Sequence, residues 1–181
     1  TKRANELMAH SYAHLHGLPV TGLRFFTVYG PWGRPDMAIY IFTAAILAGR
    51  PIEVVEKGEV ERDFTYIDDV AEAVVRIAGV VPKGNPAWSG ATPDPATSRA
   101  PFRLYNIGNA TPVRLMEVVR LIEAETGKRA QIVDKQLPPG DMRRTSAATE
   151  DLAAAVGFRP ATPLKEGIKH FVTWYREFHG L

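Results

Sequence analysis

Pro19-Val20-Thr21-Gly22-Leu23-Arg24-Phe25-Phe26-Thr27-Val28-Tyr29-Gly30-Pro31-Trp32-Gly33-Arg34-Pro35-Asp36 decides how the chain is read. Through Tyr29 the stretch is mostly apolar, β-branched or aromatic, the composition of a single buried strand. From Gly30 onward it holds two Gly and two Pro in seven residues and must be irregular. A loop placed directly after a buried strand is where open α/β sheets hold their ligands.

Working outward, Ala4, Leu7, Met8, Ala9, Tyr12 and Leu15 recur at helical spacing, so Lys2 to His16 reads as a helix stopped by Gly17. No cap sequence precedes it, and we expect the numbering to start inside a larger chain. Met37 to Ala48 reads as a helix ended by Gly49. Ile52 to Val55 and Asp63 to Ile67 read as strands around a turn at Lys57-Gly58, and Asp68-Asp69 is expected to cap the apolar helix Val70 to Val80. Residues 82–101 carry five Pro and read as an exposed loop low in regular structure. Arg103 to Ile107 is a strand. Thr111-Pro112 is expected to open an amphipathic helix with Val113, Met116, Val119 and Ile122 on its apolar face, ending at Gly127. Gln131 to Val133 reads as a short strand, Thr149 to Val156 as a helix, and Pro163 to Phe178 as a last helix with a Phe171, Trp174, Tyr175, Phe178 face. Strand and helix alternate, so the class is α/β with a mainly parallel sheet.

Composition narrows the function. The 181 residues carry 22 Lys plus Arg against 20 Asp plus Glu, a net charge of +2, which excludes the basic stripe of a nucleic-acid binder. Cys is absent, which removes disulfides, a thiolate nucleophile and a Cys-ligated zinc. No apolar run approaches the ~20 residues of a membrane span, and a cytoplasmic protein is expected. His10 and His14 lie four apart but lack a third ligand, so they read as surface residues and no metal is expected.

Taken alone, Lys2 is a surface lysine, the 30–36 loop a rigid connector, and Arg62 half of an ion pair. Together, Thr1-Lys2-Arg3-Ala4-Asn5-Glu6, the run Arg24 to Ala38, Arg62-Asp63-Phe64-Thr65-Tyr66-Ile67-Asp68-Asp69 and Tyr105-Asn106-Ile107-Gly108-Asn109 resemble the NAD-dependent epimerase/dehydratase family. This family belongs to the extended short-chain dehydrogenase/reductases, and the resemblance is closest to its UDP-glucuronate 4-epimerase group. It covers essentially the whole chain and matches the C-terminal part of such enzymes. It implies the end of a Rossmann-like doubly wound parallel sheet plus a smaller α/β substrate-binding domain. The expected divisions are 1–32 and 63–110 for the NAD-binding part, and 33–62 and 111–181 for the substrate part.

The same resemblance implies the site. Lys2 is similar to the catalytic lysine of Tyr-x-x-x-Lys, whose tyrosine would fall before Thr1, and it would also hold the nicotinamide ribose of NAD. Phe25 and Phe26 would lie near the nicotinamide. Thr27 would bind the sugar carboxylate, Arg34, Arg62 and Arg144 the diphosphate, and Asp141 the nucleotide ribose. The family's Gly-rich pyrophosphate loop does not occur in residues 1–181, so this segment alone is expected to be inactive. The implied partner is a UDP-sugar, with a possible homodimer at full length. The alternatives are another NAD-dependent sugar-nucleotide epimerase, dehydratase or decarboxylase, or a non-catalytic sugar-nucleotide-binding module.

Overall fold

The computed structural model describes residues 1–181. Its elements are α1 (Lys2–His16), β1 (Val20–Phe25), β2 (Thr27–Tyr29), α2 (Ala38–Leu47), β3 (Ile52–Val55), β4 (Glu61–Tyr66), α3 (Ile67–Ala78), β5 (Phe102–Ile107), β6 (Pro112–Arg114), α4 (Leu115–Thr126), β7 (Ile132–Lys135), α5 (Glu150–Val156) and α6 (Leu164–His179). The α/β class is as expected. The strands form three small sheets rather than one: β1 with β5, β2 with β4 and β6, and β3 with β7, all parallel except β4 with β6.

The expected single strand 19–29 is two strands, and the break is at Phe26. The Phe26 N–H still donates to the Ile107 carbonyl at 3.1 Å, but Val28 N–H turns back on the Phe26 carbonyl at 2.9 Å. That i to i+2 bond bends the chain. Beyond it β2 runs beside β4, Thr27 opposite Phe64 and Tyr29 opposite Tyr66.

Alternation along β5 sends its side chains to two cores. Phe102 and Leu104 pack with Ala13 of α1, while Tyr105 and Ile107 pack with Val70, Ala73 and Ile77 of α3 and Leu152 of α5. Both faces of the β1–β5 pair are therefore covered by helices, the arrangement a parallel pair needs. The largest core gathers Ile39, Phe42 and Ile46 of α2, Val118, Val119 and Ile122 of α4, and Ile168, Phe171 and Val172 of α6 around Tyr29, Phe64 and Tyr66. α2 is apolar nearly all round because it lies inside this core.

Two sequence expectations fail for local reasons. Helix α4 opens at Leu115, not at Thr111-Pro112, because Pro112 to Arg114 pairs antiparallel with Asp63 to Glu61. Proline lacks the N–H that a ladder needs but is tolerated as the first residue of a strand. The helix phase moves accordingly, burying Leu115 and Val118 in place of Val113 and Met116. Asp68 and Asp69 do not cap α3 either; the cap position is Tyr66, and both carboxylates sit in the first turn, where the helix dipole favours them. Asp69 instead accepts the N–H groups of Ala161 at 3.0 Å and Thr162 at 2.8 Å, which anchors the approach to α6. Residues 82–101 are free of helix and hold themselves by local bonds, chiefly Asp94 to Ala96 N–H and Thr97 Oγ1 at 2.9 Å each. No helix is long and apolar enough to cross a membrane.

Helix α6 meets β2 at Gly167. A Cβ built there would lie 2.1 Å from Tyr29 Oη and 2.7 Å from Cζ, and Tyr29 is buried. Alanine adds about 1 kcal/mol of helix propensity but forces the ring or the helix to move. Gly167→Ala is expected to lower the unfolding free energy by about 2 kcal/mol in urea denaturation. Combining it with Tyr29→Phe, which removes the nearest atom, should recover part of that loss.

Candidate active site

One cleft opens at the carboxyl ends of β1 and β2, and a second adjoins it along the length of β1. The first, about 500 Å³, is lined by Phe25, Phe26, Val28, Tyr29, Gly30 to Arg34, Met37 and Ile67. The other, about 690 Å³, is lined by Lys2, Asn5 and Glu6 of α1, the β1 strand and Arg34. Phe25 and Arg34 border both. Lys2 and Phe26 thus line different but adjoining clefts. Phe25 is 52% exposed, an uncovered aromatic ring beside an otherwise apolar wall. Gly30 lets the wall close: with φ at 142°, its Cβ would meet Ile67 Cγ2 at 2.4 Å.

The polar chemistry of this region is specific. Arg34 forks onto Asp36, its Nε at 3.0 Å from Oδ1, and both are exposed. Glu6 accepts Arg24 Nε at 2.6 Å and Nη2 at 2.8 Å, and Arg3 at 2.6 Å. The Arg24 bonds hold the Glu6 carboxyl down at about 2, against the ordinary 4.5. A depressed carboxylate stabilises the fold above its unfolded pKa, so this contribution is complete above pH 4.5 and is lost as pH falls toward 2. The pair is partly solvated, so the expected gap between wild type and Glu6→Gln is about 1 kcal/mol near neutrality. Denaturation at stepped pH should show that gap closing below pH 4.5. Tyr29 behaves differently: burial, helped by Tyr66 and Asp69, pushes its phenol well above the ordinary 10. Tyr29 therefore stays protonated at neutral pH and is no general base.

A second group lies on β4 and the segment that crosses it. Arg62, half-buried, bonds Asp141 Oδ1 at 3.2 Å. Arg144 pairs with Glu61 at 3.1 Å through a parallel bridge. Asp141 closes a turn, its N–H on the Pro138 carbonyl at 3.1 Å, with Gly140 at φ 85°. Arg62 and Asp141 are therefore in contact and Arg144 pairs with the neighbouring Glu61, whereas Arg34 stands on the loop after β2. Thr27 pairs with Phe64 in the ladder and is not among the residues lining either cleft, although Phe26 and Val28 beside it are.

Asp63 escapes a motif-by-motif reading. It is fully buried, and its two oxygens accept the N–H groups of Asn109 at 2.8 Å, Ala110 at 3.0 Å and Ala147 at 2.8 Å. The signal was available: a carboxylate between buried strand residues must find donors. It ties the turn after β5 and the 145–147 segment to β4, next to Arg62.

Residues 1–87 match the NAD dependent epimerase/dehydratase family. The chain is 52% identical over 179 residues to Protein CapI of Staphylococcus aureus, covering 99% of this chain and 54% of that protein. It is 47% identical over 178 residues to a probable UDP-glucuronate 4-epimerase of Rhizobium meliloti, covering 97% of this chain and 52% of that protein. Among solved structures, MoeE5 in complex with UDP-glucuronic acid and NAD superimposes with a TM-score of 0.83 at 34% identity, over 98% of this chain and 54% of that one. The chain spans about half the length of the curated relatives it matches. The ordered motifs, the helix-covered parallel strands and these relatives all agree with the match of residues 1–87 to the NAD dependent epimerase/dehydratase family.

Proposed function

We propose that residues 1–181 are the C-terminal part of an NAD-dependent epimerase that interconverts UDP-glucuronate and UDP-galacturonate. The observation that carries the proposal is a pair of adjoining clefts that share Phe25 and Arg34, one lined by Lys2 and the other by Phe26, in a chain 47% identical to a probable UDP-glucuronate 4-epimerase. In this reading 1–32 and 63–110 belong to the NAD-binding part, and 33–62 and 111–181 to the substrate part. Without its preceding half, the segment is expected to be inactive.

The residues present fit the nicotinamide end of NAD. Phe25 offers an uncovered ring, Phe26 lines the same apolar cleft, and Lys2 lies in the adjoining one. NAD when bound supplies reversible acceptance of the hydride on the sugar C4. Lys2 holds the nicotinamide ribose and places a positive charge near the tyrosine expected four residues before it. That charge favours the phenolate, which otherwise forms only near pH ~10. A phenolate there would take the 4-hydroxyl proton and give it back after the 4-keto sugar has turned over, so the only further chemistry needed is the reversible hydride acceptance that NAD would supply. Arg62 and Arg144 hold the diphosphate, with Arg34 closing from the loop, because a guanidinium forks onto phosphate oxygens and keeps its charge. Asp141 accepts the ribose hydroxyls.

Oxidation at C4 makes a β-keto acid that can lose its carboxylate as carbon dioxide. Thr27 lines neither cleft of residues 1–181, so in this proposal its hydroxyl holds that carboxylate out of alignment with the ketone only in the site that the longer protein completes. Thr27→Val in the longer protein should raise the pentose product about tenfold relative to the epimer. Unchanged partitioning would remove Thr27 from this role. A full-length homodimer is consistent with Leu7, Met8, Tyr12 and Leu15, which stand exposed on α1.

A further inference from the structure

Helix α6 reaches the cleft loop a second time, beyond the Tyr29–Gly167 contact. The Trp32 ring lies against Trp174 and Phe178, with centroids 5.5 and 5.2 Å apart. Gly167, Phe171, Trp174 and Phe178 recur at helical spacing, so one face of α6 runs along the loop from Tyr29 to Trp32. Trp32 also has a φ of 63°, a left-handed conformation that a bulky side chain rarely adopts and that needs a compensating contact.

Nothing else ties the loop down by hydrogen bonds. Gly33 N–H bonds the Gly30 carbonyl at 3.1 Å and Met37 N–H the Arg34 carbonyl at 3.2 Å, while Arg34 pairs with Asp36. Every hydrogen bond made by residues 30–36 stays within the loop or goes to Met37. Trp32 is 76% exposed and Phe178 54% exposed, so their contact is a clasp that can open and not a piece of core.

We propose that Trp32 is a positioning residue, through which the Trp174–Phe178 end of α6 holds loop 30–36, and with it Pro31, Gly33 and Arg34, against the cleft. The functional half of this inference rests on the cleft reading above; the clasp itself does not.

Amide hydrogen exchange without ligand tests the clasp alone. Phe178→Ala and Trp32→Ala should each speed exchange at Gly33 and Met37 about tenfold, leaving β5 and α3 unchanged as internal controls of folding. The double variant should add little to Trp32→Ala, and Trp32→Phe should restore most of the protection. Unchanged exchange at both amides in both single variants would overturn the clasp. In the longer protein, Phe178→Ala should raise KM for the UDP-sugar about fivefold and change kcat less than about twofold. Faster exchange with unmoved kinetics would overturn the positioning role, whereas a wild-type protein that binds no UDP-sugar would sink the epimerase reading and leave the exchange result standing.

Discussion

Asp63→Ala is expected to lower the unfolding free energy by about 4 kcal/mol, at the far end of single-residue effects. The side chain is fully buried and is the sole acceptor for three backbone N–H groups at 2.8 to 3.0 Å. Removing it strands all three donors without water, each at about 1–3 kcal/mol, partly relieved by local relaxation. No larger residue can move in from the side, because even a Cβ on Gly108 would lie 2.3 Å from Ala147 Cβ and 3.1 Å from Asp63 Oδ2. Asp63→Asn keeps one carbonyl but turns an NH2 toward an N–H, so a loss of about 2 kcal/mol is expected. Urea denaturation checks both through the midpoint with the slope held constant. A loss below about 1 kcal/mol in both variants would mean that the turn after β5 and the 145–147 segment find other acceptors.

Lys2→Met in the longer protein should cost about 10²–10³ in kcat with little change in stability or KM. The Lys2 side chain is exposed and makes no hydrogen bond or ion pair, so the fold does not depend on it. Methionine keeps the length and helix propensity while removing the charge. Losing a cation beside a phenol raises the phenol's pKa, so activity in the variant should need a higher pH than in wild type. A pH–rate profile separates this from a structural effect, which would lower the whole curve without moving it. A kcat within threefold of wild type, with an unmoved profile, would contradict the role given to Lys2.

What was legible in the sequence were patterns that act locally. The Pro- and Gly-rich turn after Tyr29 had to be irregular, and Gly17, Gly127 and Gly157 end helices in the left-handed conformation expected of such stops. What was not legible depends on distant partners. Residues 19–29 look like one strand because each residue suits a strand; the bend at Phe26 forms because the β5 ladder stops at Ile107 and β4 supplies the next partner. Thr111-Pro112 suits a helix start in isolation, yet a free edge of β4 recruits Pro112 to Arg114 as β6. Asp69 suits a cap, yet two N–H groups 92 and 93 residues away claim its carboxylate. Among the candidate site residues, Lys2 and Phe26 line two adjoining clefts that share Phe25 and Arg34, and Arg62 pairs with Asp141. Motif order could not reveal that Thr27 lines neither cleft, nor that Asp63 underpins the strand that carries Arg62.

The most direct measurement is incubation of the longest protein that contains residues 1–181 with UDP-glucuronate and NAD, followed by separation of the nucleotide-sugar products. The expected result is UDP-galacturonate as the main product, with the hydrogen at C4 retained because it leaves and returns within one site. A UDP-pentose as the main product, or no conversion while the protein stays folded, would contradict the proposed epimerase.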